Sequence, residues 1–246
     1  MKPGHAIFGF HAVLARLRAD PSSVDEIYLD EAREDARAKD LAALAKSHGV
    51  TMMRVPAKRL DGFDAGARHQ GVVAMVQERR QRESLEELLE ALAEPALLLV
   101  LDGVTDPHNL GACLRVADAA GAHAVISPKD RAAGIGATVS KVASGAAETM
   151  PYFMVTNLAR TLDELKERNI WIVGADERAP QTLYEADLPE AIAWVLGAEG
   201  EGMRRLTRER CDTLVRIPML GSVASLNVSV ASGVCLFESR RRRLSA

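Results

Sequence analysis

The shortages in this 246-residue sequence narrow the field before any motif is read. Aromatic side chains make up only 4% of it, there are three cysteines, and 31 Lys+Arg nearly balance 34 Asp+Glu for a net charge of −3. With so few aromatics, a core drawn from the 48% apolar residues has to be built mainly from aliphatic side chains. Cys113, Cys211 and Cys235 lie far apart and form no CxxC, so they support neither a disulfide framework nor a thiolate zinc centre. They fit a reducing compartment, and a cytoplasmic protein is expected. The six histidines show no HExxH or other close ligand spacing, so no metal is expected. Near-neutral charge excludes a uniformly basic nucleic-acid coat, and any RNA or DNA contact has to be local. The longest apolar run, Pro95–Leu101, falls far short of the roughly 18 to 20 residues of a membrane helix and reads as a buried strand. The N-terminal stretch is broken by Gly4, His5, Gly9 and His11, so it lacks the apolar centre of a secretory signal and is expected to be part of the folded protein.

What is present alternates. Up to about Gln77, short apolar runs (Ala6–Phe8, Glu26–Leu29, Thr51–Val55, Val72–Val76) are interleaved with amphipathic stretches, which describes a small α/β unit over residues 1–79. Residues 80–93 read as a charged linker running into a helix, with Ser84 as N-cap and Leu85, Leu88, Leu89 and Leu92 at helical spacing. Over 94–246, strand-like runs recur at Leu97–Leu101, His123–Ile126, Tyr152–Val155, Trp171–Val173, Ile192–Leu196 and Leu214–Ile217. Helical patterns lie between most of them, so the class is parallel α/β. A last helix is expected from near Asn227 to Arg240–Arg243, and Trp171 and Trp194 are expected in the core.

Three loops follow strands and open helices, which is where α/β folds bind ligands. The first, LDGVTDPHNLGACLR, carries Asn109 and Arg115; these read equally as an N-cap and a solvated cation. The second, Gly197-Ala-Glu-Gly-Glu-Gly202, has the order GxxGxG late in the chain, with Glu199 and Glu201 inside it. A dinucleotide cradle needs GxGxxG after the first strand of its unit, and two acids would repel a pyrophosphate. A cationic or neutral adenosyl compound is less penalised, and a plain tight turn is the other reading. In the third, IPMLGSVASLNVSV, Ser222, Ser225, Asn227 and Ser229 crowd a helix start, either to contact a nucleoside or simply to cap. There is no GxSxG, and no histidine follows His123, so a Ser…Asp…His order built on these serines is excluded.

Together the stretches LDGVTDPHNLGACLRVADAAG, LGAEGEGM and IPMLGSVASLNVSVASG resemble the three motifs of the SpoU/TrmH branch of the SPOUT RNA 2′-O-methyltransferases. FGFHAV and RHQGVVA are similar to the substrate-binding domain of bacterial members. KDRAAGIGATVSKVASGAAE and TNLARTL bring the chain nearest to the members that methylate guanosine in large-subunit (23S) ribosomal RNA. The resemblance implies an L30e-like N-terminal RNA-binding domain, then a SPOUT α/β domain whose C-terminal trefoil knot binds S-adenosylmethionine. Sequence pattern alone would reject the knot, because chains rarely thread loops. It further implies a homodimer with active sites drawing on both chains. By position, Gly197, Ile217 and Leu226 would surround the adenosine, and Asn109, Arg115, Glu199, Ser225 and Asn227 would be the catalytic polar set. Arg115, always protonated, would bind phosphate and developing oxyanion charge. The partner implied is a large-subunit ribosomal RNA loop, since only RNA offers the 2′-hydroxyl. Arg16, Arg18, Arg68 and the C-terminal arginines are the candidate RNA contacts.

Overall fold

The structure, a computed structural model, describes residues 5–63, 69–77 and 84–245. By contacts the chain divides into two compact units, residues 1–82 with Ser144–Thr149, and residues 83–143 with 150–246.

In the first unit, β1 (His5–Phe8), α1 (Phe10–Ala19), β2 (Val24–Asp30), α2 (Ala36–Ser47), β3 (Thr51–Val55), α3 (Ala57–Asp61) and β4 (Val72–Val76) follow one another. The four strands lie in the order β1-β4-β2-β3, with β4 antiparallel to both neighbours and β2 parallel to β3. Aliphatic residues of both layers, among them Val13, Leu17, Ile27, Leu29, Leu41 and Val72, form one core with almost no accessible surface. Such burial of Leu, Ile and Val side chains stabilises by roughly 1.5–3 kcal/mol each. Arg16 lies inside this unit, against its reading as an RNA contact. Its guanidinium, 2% exposed, donates to Ser23 Oγ (2.7 Å) and the Gln77 carbonyl (2.6 Å) and pairs with Glu148 at 3.0 Å. A cation whose donors are all directed inward is a structural tie. Arg18 is exposed, and Arg68 lies outside the described residues.

The second unit begins with α4 (Leu85–Glu90). Ser84 and Glu87 form a reciprocal capping box there, because a hydroxyl and a carboxylate three residues apart satisfy each other's free amides. Then come β5 (Leu97–Asp102), α5 (Pro107–Ala119), β6 (Ala124–Pro128) and α6 (Ala137–Ala143). The short α7 (Ala146–Thr149) belongs to the first unit. After it run β7 (Tyr152–Val155), α8 (Leu158–Glu167), β8 (Trp171–Ala175), β9 (Gln181–Thr182), β10 (Ile192–Gly197), α9 (Arg205–Arg210), β11 (Thr213–Arg216) and α10 (Val228–Ser245). The seven strands form one parallel sheet in the order β7-β6-β5-β10-β8-β11-β9. Every residue of β5 is buried, as a strand covered on both faces must be.

Two expectations fail here for clear reasons. Trp194 is fully buried, with its indole N–H donating to Ser239 Oγ, but Trp171 is 44% exposed. It is the first residue of β8, at the sheet's rim, where its N–H reaches Thr213 Oγ1 at 3.1 Å. The C-terminal arginines mostly staple α10 to neighbouring loops instead of facing a phosphate. Arg240 donates to the carbonyls of Ala120 and Gly121, Arg242 to those of Leu183, Tyr184 and Ala186, and Arg243 to those of Ala96 and Glu190. A carbonyl oxygen has two lone pairs, and the fork of a guanidinium supplies donors to several of them at once. Arg241 points outward and bonds Glu238.

Candidate active site

In a parallel sheet the carboxyl ends of adjacent strands open onto a crevice that the helices do not fill. Here β5, β10, β8 and β11 lie side by side, and the segments leaving the last three enclose a cavity of about 250 Å³. One wall is Ala175–Arg178 after β8, another Leu196–Met203 at the end of β10, and the third is made by Ile217, Met219, Ala224–Leu226 and the first turns of α10. The second wall depends on glycine. A Cβ on Gly197 would collide with the backbone of Gly202 and Met203, which turns back across the end of its own strand. Gly200 (φ +80°) and Gly202 (φ +71°) adopt the left-handed backbone that makes this return, and Gly202 N closes it on the Ala198 carbonyl at 2.9 Å.

A polar network joins this wall to the starts of two helices. Glu199 Oε1 accepts from Asn227 Nδ2 at 2.5 Å and from the Val228 amide at 3.4 Å, placing a carboxylate on the amide-rich end of α10. Asn227 Nδ2 also donates to Asn109 Oδ1 at 2.8 Å, while its own Oδ1 accepts from the Ser229 amide and hydroxyl. Asn227 therefore caps α10 and binds the network at once. Asn109 is not a cap. Asp106 takes that role by accepting from the His108 amide at 3.0 Å, which leaves Asn109 free to point at Asn227.

Of the residues named from sequence, Gly197, Glu199, Ile217, Ser225 and Leu226 line the cavity, and Asn109 and Asn227 adjoin it through Glu199. Arg115 does not line it. It is exposed on α5, six residues beyond Asn109 and so roughly 120° away around the helix. The wall Ala175–Arg178 was missed, although its signal was available: it directly follows a predicted strand. No cysteine offers a nucleophile, since burial pushes the thiol of Cys113 up to about 11 and those of Cys211 and Cys235 to about 12.

The chemistry of the lining is selective. Leu196, Ile217 and Leu226 supply aliphatic surface, and Asp176, Glu177, Glu199 and Glu201 supply carboxylates against the guanidinium groups of Arg178 and Arg208. That combination suits an apolar ring system carrying positive charge and disfavours a polyphosphate. The family model for the SpoU rRNA Methylase family matches residues 96–237. The chain belongs to the SpoU rRNA methylase family. A second match, to the RNA 2′-O ribose methyltransferase substrate-binding domain, covers residues 6–82. Among SpoU relatives, a 23S rRNA (guanosine-2′-O-)-methyltransferase RlmB of Ralstonia nicotianae is 62% identical over 243 residues, covering 99% of this chain and 98% of its own. The RlmB of Bordetella pertussis is 59% identical over 99% of both chains. The SpoU methyltransferase AviRb from Streptomyces viridochromogenes, solved in complex with the cofactor AdoMet, is 25% identical with a TM-score of 0.79, covering 99% of this chain and 92% of that one. A second solved structure, an RNA 2′-O ribose methyltransferase, is 28% identical with a TM-score of 0.78, covering 97% of this chain and 88% of its own.

Proposed function

We propose that this protein transfers a methyl group from S-adenosylmethionine to the ribose 2′-hydroxyl of a guanosine in 23S ribosomal RNA. What carries the reading is that the chain matches relatives named for this reaction over nearly its whole length, while its own cavity has the apolar and acidic lining such a cofactor needs. Bound there, S-adenosylmethionine supplies an electrophilic methyl group on a sulfonium. Gly197, Ile217 and Leu226 hold the adenosine, and the carboxylates around the cavity favour the cationic donor over its neutral product. Glu199 fixes Asn227, and Asn227 fixes Asn109, so the three side chains form one preorganised edge against which the ribose is set. Ser225 lines the same rim. Arg115 would bind the phosphate next to the target ribose and stabilise the negative charge that develops on the 2′-oxygen.

Arg115 lies outside the cavity lining, roughly 120° around α5 from Asn109, and we assign the protein to homodimers in which a second copy completes the site. Val230, Phe237 and Leu244 of α10 are 51%, 50% and 82% exposed at seven-residue spacing. They form an apolar stripe of the kind that marks an interface. The residues 6–82 act as the RNA-binding part, the reaction is cytoplasmic, and α10 passes through the knot implied by the family. Methyl transfer from tritiated S-adenosylmethionine to purified 23S ribosomal RNA and, separately, to transfer RNA tests the reading. Label in the ribosomal RNA alone, on a guanosine ribose, is expected; label only in transfer RNA, or none, would overturn it.

A further inference from the structure

Asp102 is a fully buried carboxylate at the end of β5, facing Gly197 in the β5–β10 ladder. Both of its oxygens are taken by one residue. Oδ2 accepts from the Arg204 amide at 2.8 Å, and Oδ1 accepts from Arg204 Nε at 2.6 Å, with a second guanidinium nitrogen also at 2.6 Å. Taking the Asp102 carboxylate fully out of water carries a desolvation cost that a partly exposed guanidinium only partly offsets, so its geometry needs a reason. Arg204 is the residue at which the loop Gly197–Met203 ends and α9 is about to begin. The loop's entry is therefore fixed to Asp102 by the strand ladder, and its exit is clamped by the Asp102 carboxylate. Seven residues of cavity wall are closed into a hoop at a single point. Midway around it stands Glu199, which holds Asn227 and the first turn of α10.

We propose that Asp102 and Arg204 are positioning residues that hold the Gly197–Met203 loop in its cofactor-binding form and, through Glu199, align the Asn109–Asn227 pair. This rests on the reading of the cavity as the cofactor site. The test uses the full-length protein with Asp102→Asn, Arg204→Gln, Arg204→Lys and the double variant Asp102→Asn/Arg204→Gln. Calorimetric binding of S-adenosylhomocysteine is measured beside the KM for S-adenosylmethionine, the KM for 23S ribosomal RNA, and Tm. Each loss-of-clamp variant is expected to weaken cofactor binding about tenfold and raise the cofactor KM to match, with the RNA KM within about twofold of wild type. Arg204→Lys recovers part of the loss, and the double variant is no worse than Asp102→Asn, because the two residues act as one clamp. Unchanged cofactor affinity in Arg204→Gln, whatever its Tm, would overturn the proposal, as would losses that simply add. Arg204 has a side chain 41% exposed and keeps its backbone amide when substituted, so it decides the matter if Asp102→Asn does not fold. Wild-type protein that fails to bind S-adenosylhomocysteine would instead refute the reading of the cavity.

Discussion

Glu199 and Asn227 carry more of the site than their exposure suggests, because each answers to several elements. Glu199→Gln keeps the shape but loses the charge that strengthens the bond to Asn227 Nδ2. Turnover is expected to fall about tenfold with little change in Tm, as a loss of roughly 1.4 kcal/mol of transition-state alignment would give. Asn227→Ala removes the cap of α10 as well, so it is expected to cost about 1 kcal/mol of stability in addition to activity. Both are checked by steady-state kinetics beside thermal unfolding. Gly197→Ala meets backbone on the far side of the loop. It is expected to destabilise the protein by about 2–3 kcal/mol and to abolish calorimetric cofactor binding. Asn109 and Asn227 were readable as polar residues at helix starts and Glu199 as an acid inside a glycine loop, and the motifs pointed to them together. That Asn227 would both cap and bridge was hidden, because its partners lie 118 and 28 residues away. Arg16 was misread for the same reason: its burial depends on Glu148, 132 residues on.

The helix α10 shows how an apparently solvated arginine run does structural work. Buried Glu238 accepts from Arg241 and Arg242, and these hydrogen bonds, the one from Arg241 first, hold its carboxyl at about 2, well below the usual range. The folded state binds its proton later than the unfolded chain does. The stabilisation is therefore present above about pH 4.5 and lost as pH falls toward 2. It amounts to about 2 kcal/mol, allowing for screening of the exposed Arg241. Glu238→Gln is expected to flatten the acid limb of the stability curve between those values in urea titrations. The strands that line up beneath the site were legible because continuous aliphatic runs such as Leu97–Leu101 have no other use in a chain this poor in aromatics. The pieces that escaped, α3 with five residues and β9 with two, are too short to show a period. Trp171 misled because an apolar run gives a strand's direction through the core but not which of its ends emerges.

The topology implied for the α10 region leaves no mark in hydrophobic periodicity; it and the proposed pairing of two copies both came from the resemblance of three motifs. The exposed stripe Val230–Phe237–Leu244 offers a direct handle on the pairing. Phe237→Asp is expected to shift sedimentation from dimer to monomer and to remove turnover while each chain stays folded; an unchanged dimer would place the interface elsewhere. The proposed reaction is the methylation of a guanosine ribose in 23S ribosomal RNA, with Arg115 proposed to bind the adjacent phosphate. The measurement that tests it most directly is ribose-methylation mapping of ribosomal RNA from a strain lacking this protein, complemented with the wild-type chain or with Arg115→Ala. One 2′-O-methylguanosine is expected to disappear in the deletion, return with the wild type and stay absent with the folded variant. An unaltered methylation map in the deletion strain, or full restoration by Arg115→Ala, would contradict it.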